Sequence, residues 1–151
     1  GNNSTVIRCL AYIHLFPKRR RRKKMKKVIV AIQSTLVREA VIGALKKRGF
    51  FAEKSLSQLP DKVAMACDVF FADVLLMDAG RAAENSFERR METVRCVRKN
   101  NPSLKTGLLC DNVSDPEIAR QVMQAKETGL IDVFFYDSVQ TDYLCDVVDS
   151  L

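Results

Sequence analysis

Residues 72–80 read Ala-Asp-Val-Leu-Leu-Met-Asp-Ala-Gly, an apolar stretch of strand length that ends in the carboxylate of Asp78. An unbroken apolar run of this length is typical of a strand buried on both faces, as in a parallel α/β sheet. Ligands and reactive groups of such sheets collect beyond the carboxyl ends of the strands. Asp78 is therefore a candidate for chemistry. The structural alternative is that it only caps a loop by accepting hydrogen bonds from backbone N–H groups.

Strand-like and helix-like segments alternate along the chain from Met25 to its end. The predicted strands are Val28–Ile32, Phe51–Ser55, Val74–Met77, Gly107–Cys110 and Ile131–Tyr136. Helices with apolar residues at helical spacing lie between them and after the last strand. Five strands and five helices in strict alternation predict one α/β domain, a flavodoxin-like three-layer sandwich. Its parallel sheet has the order 2-1-3-4-5, with helices on both faces.

Polar cap residues and apolar stripes place these helices more closely. Thr35 or Ser34 is predicted to cap the first helix, Asn85 and Glu88 form a capping box for the third, and Ser114 or Asp115 opens the fourth before Pro116. The second helix is predicted from the helical spacing of Leu59, Val63, Ala66, Cys67 and Phe70, with Pro60 in its first turn. The inner face of the third is predicted to be Phe87, Met91, Val94 and Val97.

The net charge of +7 belongs to an N-terminal extension, residues 1–24, and not to the domain. That extension holds eight of the 25 Lys and Arg residues and none of the 18 acidic ones, so residues 25–151 carry about −1.

Val6–Phe16 is apolar but too short to span a bilayer, which takes about 20 residues. Lys18–Lys27 has nine basic residues in ten. This block could contact nucleic acid, anionic lipid or an acidic partner. The alternative is that residues 2–24 are upstream sequence and that the natural chain starts at Met25.

The five cysteines show no metal-binding or disulfide pattern. Cys-x-x-Cys pairs are absent, and the one histidine, His14, lies in the extension. Zinc ligation and a disulfide framework are therefore unsupported. Isolated cysteines in apolar segments are typical of small buried side chains in a reducing cytosol, which indicates a cytoplasmic protein.

The segment from Lys27 to Ala40, KVIVAIQSTLVREA, resembles the opening of bacterial response-regulator receiver domains. Its Leu36-Val37-Arg38-Glu39 part is similar to receivers joined to LuxR/NarL-type DNA-binding domains. Further pieces fall where that family has comparable ones, namely Asn101-Pro102-Ser103-Leu104, Asp115-Pro116-Glu117 and Tyr136-Asp137-Ser138. The resemblance covers about residues 26–151.

This resemblance implies a specific site. In working receivers, an Asp ending strand three accepts a phosphoryl group from a histidine kinase, and an acidic pair ending strand one binds Mg²⁺. A Ser or Thr ending strand four and a Lys ending strand five contact the phosphoryl oxygens. Only Asp78 matches here, as the phosphoacceptor position. The other positions fall on Ile32, Gln33, Cys110 and Tyr136, or with a one-residue shift on Asp111 and Asp137.

These replacements predict a degenerate site, or pseudo-receiver. Charge on a transferring phosphoryl group is neutralised by metal and cation together. The matched positions supply neither the acidic pair nor the lysine, so we expect no cation beside Asp78 and at most weak Mg²⁺ binding. Ile32 also indicates a drier pocket, which favours a neutral or hydrogen-bonded Asp78. Magnesium-dependent phosphorylation is therefore predicted to be weak or absent.

Receivers of this kind usually signal through helix four, strand five and helix five. On this chain that face would include Val122, Gln124, Tyr143 and Val147 and could support a homodimer. Phe134, Phe135 and Tyr136 are either a switch aromatic cluster or plain core packing. The expected partner is a histidine kinase or other signalling protein. DNA binding would belong to an output domain beyond Leu151, and no membrane span is expected.

A small α/β enzyme, or a nucleotide- or anion-binding domain, is the alternative. The turn Gln33-Ser34-Thr35 lies before a helix N-terminus, where anions bind, but the same residues describe an ordinary helix cap. No glycine-rich phosphate loop is present, and the domain has no Ser-His or Cys-His pair. The sequence therefore favours a regulatory module over an enzyme.

Overall fold

The structure is a computed structural model that describes residues 25–151. The predictions made for Val6–Phe16, for His14 and for most of the basic run lie outside these residues.

Five parallel strands alternate with five helices, which confirms the predicted fold class. The elements are β1 Lys27–Ala31, α1 Thr35–Lys47, β2 Phe51–Lys54, α2 Pro60–Val69, β3 Val74–Asp78, α3 Phe87–Asn100, β4 Lys105–Cys110, α4 Pro116–Glu127, β5 Val133–Tyr136 and α5 Thr141–Ser150. The sheet order is β2-β1-β3-β4-β5, and every neighbouring pair is parallel. The carboxyl ends of all five strands therefore meet at one edge of the sheet, where Asp78 lies.

The sheet is covered on both faces, which explains the unbroken apolar run of β3. Leu75 and Met77 face a core shared with α2, α3 and α4. Val74 and Leu76 face the opposite core, shared with α1 and α5. All four side chains are at most 1% exposed. A strand with one solvated face would alternate apolar and polar residues instead.

Two of the residues from which α2 is predicted lie at its ends and are exposed. Leu59 is the N-cap and is 49% exposed, and Phe70 is the C-cap and is 37% exposed. Val63 and Cys67, also from the predicted set, are buried in the core together with Ala64.

The cap predictions are settled by side-chain hydrogen bonds. Ser34, the second of the two candidates, caps α1 by accepting from the Val37 N–H. The capping box of Asn85 and Glu88 is wrong, because Ser86 caps α3 by accepting from the Arg89 N–H. Asp115 is in the N-cap position of α4 without a side-chain cap bond. Asn85 is thereby free for a different contact.

Among residues 25–151, no helix has the length and apolar character needed to cross a membrane.

Candidate functional site

Asp78 ends β3 at the carboxyl edge of the sheet, with its side chain 15% exposed. Both carboxylate oxygens accept hydrogen bonds. The Gln33 N–H, just beyond β1, donates to Oδ1 at 3.0 Å. The Asn85 side-chain amide donates to Oδ2 at 3.3 Å. The prediction of a hydrogen-bonded Asp78 is therefore confirmed.

The side chain of Arg90, from the first turn of α3, is the cation of this site. Its Nη2 lies 2.9 Å from Asp78 Oδ1, and its Nε donates to the Asp78 carbonyl oxygen at 2.7 Å. The arginine side chain is fully buried. One guanidinium group thus holds both the backbone and the carboxylate of Asp78.

The same guanidinium also connects Asp78 to the rest of the sheet edge. Arg90 Nη2 is 2.8 Å from the Ala31 carbonyl oxygen at the end of β1 and 2.7 Å from Gln58 Oε1 in the loop before α2. The acceptors come from β1, β3 and the β2–α2 loop. A positive charge therefore lies between the end of β1 and Asp78, where the receiver resemblance places a metal ion.

The expectation of a site without a cation is wrong. Burial lowers the pKa of Arg90, and the carboxylate of Asp78 opposes that change. An arginine guanidinium nevertheless stays protonated in proteins. Its planar fork matches a carboxylate and neighbouring carbonyl groups at once, which a lysine ammonium cannot do. The carboxylate of Asp78 is thus neutralised from within the chain.

The spacing of the apolar residues in α3 could have indicated that Arg90 faces the core. Phe87, Val94 and Val97 were predicted to face inward, and residue 90 continues their spacing of three and four. A charged residue in such a stripe is usually exposed, because arginine is almost never fully buried unless it is paired. The partner, Asp78, could be recognised only once the fold brought α3 to the end of β3.

Gly80 allows the amide of Asn85 to reach the site. A Cβ atom at position 80 would lie 2.7 Å from Asn85 Nδ2. The Gly80 N–H donates to the Asn85 carbonyl oxygen at 2.9 Å, which closes the loop between β3 and α3. This loop therefore places Asn85 over the carboxylate.

The two positions that match an acidic pair contribute no charge. The side chain of Ile32 is fully buried in the core shared with α1 and α5. Gln33 is exposed, and the group it contributes to Asp78 is its backbone N–H. Neither side chain supplies a carboxylate for a metal.

Cys110 and Tyr136 lie side by side at the ends of β4 and β5. The Cys110 thiol is buried 3.8 Å from the Phe135 carbonyl oxygen. Burial, followed by the charges of Asp137 and Asp111, raises the pKa of this thiol to about 11. It therefore remains protonated near neutral pH. Tyr136 is half-buried, with its ring centroid 5.5 Å from that of Phe134 in an edge-to-face pair.

Asp111 and Asp137, the residues of the shifted alignment, differ in their surroundings. Asp111 Oδ1 accepts from the N–H groups of Ser114 and Val113, both at 2.9 Å, and these bonds lower its pKa. The pKa of Asp137 is raised, first by loss of hydration and then by the negative charges of Asp111, Asp78 and Asp115. Neither residue supplies the missing lysine.

The substitution Asp137→Asn is expected to raise the melting temperature near pH 7. In the folded chain the pKa of Asp137 is raised above its ordinary value of 3.8. Ionisation of its carboxyl group therefore destabilises the fold as the pH rises above that value. Thermal unfolding from pH 3 to 8 should show a gain for the variant at neutral pH that disappears at acidic pH. A gain of equal size at pH 3 would contradict this assignment.

Within residues 25–151, no group of three His, Cys, Asp or Glu side chains is arranged to hold a metal ion. Asp78 and the neighbouring carbonyl groups that could face a cation already contact Arg90. Weak Mg²⁺ binding remains a prediction.

Solved structures provide the comparison for this arrangement, since no protein-family model and no curated protein matches the chain. NtrX from Brucella abortus superposes with a TM-score of 0.66 at 15% identity; the match covers 83% of this chain but only 26% of the NtrX chain. A response regulator from Thermotoga maritima gives a TM-score of 0.62 at 19% identity, and the match covers 83% of this chain and 96% of the Thermotoga chain. The chemotaxis protein CheY4 from Vibrio cholerae gives 0.65 at 16% identity, covering 83% and 98%. The described residues have the response-regulator receiver fold.

One of the residues predicted to lie on the exposed signalling face, Val122, is buried. Val122 is fully buried in the core under α4 and cannot contribute to an exposed face. Gln124 and Tyr143 are exposed, the latter by 60%, and Val147 is half-buried. Phe135 belongs to the core, whereas Phe134 and Tyr136 line an open cleft of about 270 Å³ beside Tyr143.

The turn after β1 contains the hydrogen bonds of an ordinary helix cap. The Ser34 hydroxyl caps α1, and the Gln33 N–H donates to Asp78. These bonds support the helix-cap interpretation of Gln33-Ser34-Thr35, and anion binding there stays a prediction.

Proposed function

We propose that the chain is the receiver module of a response regulator in two-component signal transduction, with weak or absent Mg²⁺-dependent phosphorylation of Asp78. The buried pair of Arg90 and Asp78 is the observation that carries the proposal. In the proposed role Asp78 is the phosphoacceptor residue, and the guanidinium of Arg90 is an internal cation that already contacts its carboxylate.

Phosphoryl transfer to Asp78 would require a carboxylate oxygen to leave its present partners. Oδ1 accepts from both Arg90 and the Gln33 N–H, and Oδ2 accepts from Asn85. Withdrawing the carboxylate would leave a buried guanidinium without its counter-charge, which costs about 3–5 kcal/mol in pairs of this kind. No acidic pair offsets this cost by binding a metal, and Tyr136 replaces the lysine. The cost of breaking these contacts therefore disfavours transfer of a phosphoryl group to Asp78.

The module signals through protein contacts and not through catalysis. Its proposed partners are a histidine kinase or another signalling protein in the cytoplasm. The proposed contact face combines α4, β5 and α5, with Gln124 and Tyr143 exposed on it, and the same face would support a homodimer. The match covers 26% of NtrX but 96% and 98% of the Thermotoga maritima and CheY4 chains. From the LuxR/NarL resemblance of Leu36-Val37-Arg38-Glu39, the proposal includes a DNA-binding output domain beyond residues 1–151.

Incubation with acetyl phosphate and Mg²⁺, followed by intact-mass measurement, tests the proposal. We expect no stoichiometric adduct, which would add about 80 Da. A receiver with a complete acidic pair and lysine, treated in the same way, serves as the positive control. A stoichiometric adduct that peptide mapping assigns to Asp78, and that is lost in Asp78→Asn, would overturn the proposal. Peptide mapping keeps the result readable if the variant folds poorly.

A further inference from the structure

An exposed apolar patch lies at the edge of the sheet opposite Asp78. We define the β2–α2 patch as Phe51, Met65, Val69, Phe70 and Phe71. Met65 is 53%, Val69 64%, Phe70 37% and Phe71 75% exposed. The rings of Phe51 and Phe70 are in contact, with their centroids 5.5 Å apart. A contiguous apolar surface of this kind indicates a contact site.

The backbone of Phe71 is held in a conformation that its side chain does not favour. Its φ of +54° lies in the left-handed region. The helices α1 and α4 end in the same hydrogen-bond pattern but place Gly49 and Gly129 at this position, with φ of +89° and +80°. A non-glycine residue there costs roughly 1–2 kcal/mol. A strained phenylalanine that stays 75% exposed buries little of its ring within the described residues, which points to a contact outside them.

The described residues begin beside this patch. The Phe51 N–H donates to the Lys26 carbonyl oxygen at 3.1 Å, and the Asp73 N–H donates to that of Lys27 at 2.8 Å. The Lys27 ammonium lies 5.6 Å from the centroid of the Phe71 ring. Lys26 and Lys27, near the start of the described residues, thus lie between Phe51 and Phe71.

We propose that the apolar segment Val6–Phe16 of this chain binds the β2–α2 patch. Nine of its eleven residues are apolar. The eight residues 17–24 that join it to Met25 can extend by about 26–29 Å, which lets the segment reach the patch from Met25, where the described residues begin. A tethered segment also acts at an effective concentration of about millimolar.

Charge around the patch favours this occupant. The exposed carboxylate of Asp68 lies in the last turn of α2, and the Asp73 side chain accepts a hydrogen bond from the Lys27 N–H. The extension brings eight basic residues and no acidic one. A second copy of the domain would bring the same mixture of Asp68, Asp73 and Lys27, with no excess of positive charge. The charges therefore favour the extension over self-association.

Photo-crosslinking in the full chain tests the proposal. With p-benzoylphenylalanine in place of Phe71, irradiation should link position 71 to a peptide from residues 6–16 while the intact mass stays that of a monomer. The matched control places the same group at Val113, which is 84% exposed near the opposite edge, and should give no such link. A product of dimer mass would assign the patch to a second copy and overturn the proposal. Crosslinks that miss residues 6–16 would overturn it too.

A second variant separates binding from folding. Phe71→Gly removes the ring and relieves the left-handed backbone, so the melting temperature should stay the same or rise. Hydrogen exchange of the amides in residues 6–16 should accelerate roughly tenfold, as expected when about 1.4 kcal/mol of binding is lost. Unchanged exchange would contradict the proposal, as would a native chain that N-terminal mass spectrometry shows to begin at Met25. None of these readouts involves Asp78 phosphorylation.

Discussion

The substitution Asp78→Ala is expected to lower the free energy of unfolding by about 3–5 kcal/mol, the usual effect of breaking a buried ion pair by removing one partner. The guanidinium of Arg90 would stay fully buried and lose the carboxylate that lies 2.9 Å away. At a few degrees per kcal/mol for a chain of this size, the melting temperature should fall by about 10 °C or more. In a receiver with a complete acidic pair, removing the acceptor relieves repulsion between carboxylates and should have the opposite sign. The direction of the change therefore reports which kind of site is present.

Urea and thermal unfolding of Asp78→Ala, Arg90→Met and the double variant would measure the coupling between the two side chains. The double variant should be less destabilised than the sum of the single ones, with a coupling energy of about 1–3 kcal/mol. Asp137→Ala is the matched control, because it removes a carboxylate from the same edge and should not destabilise the fold. A melting temperature for Asp78→Ala at or above that of the natural chain would contradict the assignment of Arg90.

The fold could be predicted because its signals are local. The apolar run of β3 required burial on both faces, and the alternation of strands and helices required parallel pairing. Element boundaries moved by only a few residues. One example is β5, which begins at Val133 and not at Ile131, since the Ile131 N–H still bonds to the end of α4.

The candidate site could be predicted only in part, because its decisive contact is not local. Asp78 was recognisable from its place at the end of β3. Arg90 is twelve residues away in the sequence, and its acceptors come from three separate parts of the chain. Matching each family position to a residue could show which groups had been lost. That matching could not show that Arg90, on α3 and outside the family positions, supplies a positive charge to Asp78.

The strained Phe71 escaped prediction for a related reason. Glycine after a helix indicates a left-handed residue, as at Gly49 and Gly129. A phenylalanine at the same point carries no such signal, so the helix was predicted to include Phe70 and the left-handed residue after it was not foreseen. Both misjudged regions are places where a residue departs from its usual environment. Such departures are where functional contacts concentrate.

Magnesium is expected to leave the stability of the natural chain unchanged, because the guanidinium of Arg90 lies where the ion would bind. Mg²⁺ prefers oxygen ligands, commonly one or two carboxylates with waters. The double substitution Gln33→Asp and Arg90→Gln would remove the internal cation and add a carboxylate next to Asp78, since the residue 33 N–H is 3.0 Å from Asp78 Oδ1. Repulsion between the two carboxylates should lower the melting temperature of this variant without metal.

Thermal unfolding with and without 10 mM Mg²⁺ measures the difference between the two chains. At a ligand concentration about a hundredfold above its Kd, binding to the folded variant alone stabilises it by about 2.7 kcal/mol, or several degrees. Sodium chloride at equal ionic strength controls for screening of the carboxylates. The single variant Arg90→Gln separates loss of the cation from gain of a ligand. A magnesium-dependent rise in the natural chain would show that the ion enters despite the guanidinium. In that case Arg90 does not replace the metal, and the reason given for weak phosphorylation fails.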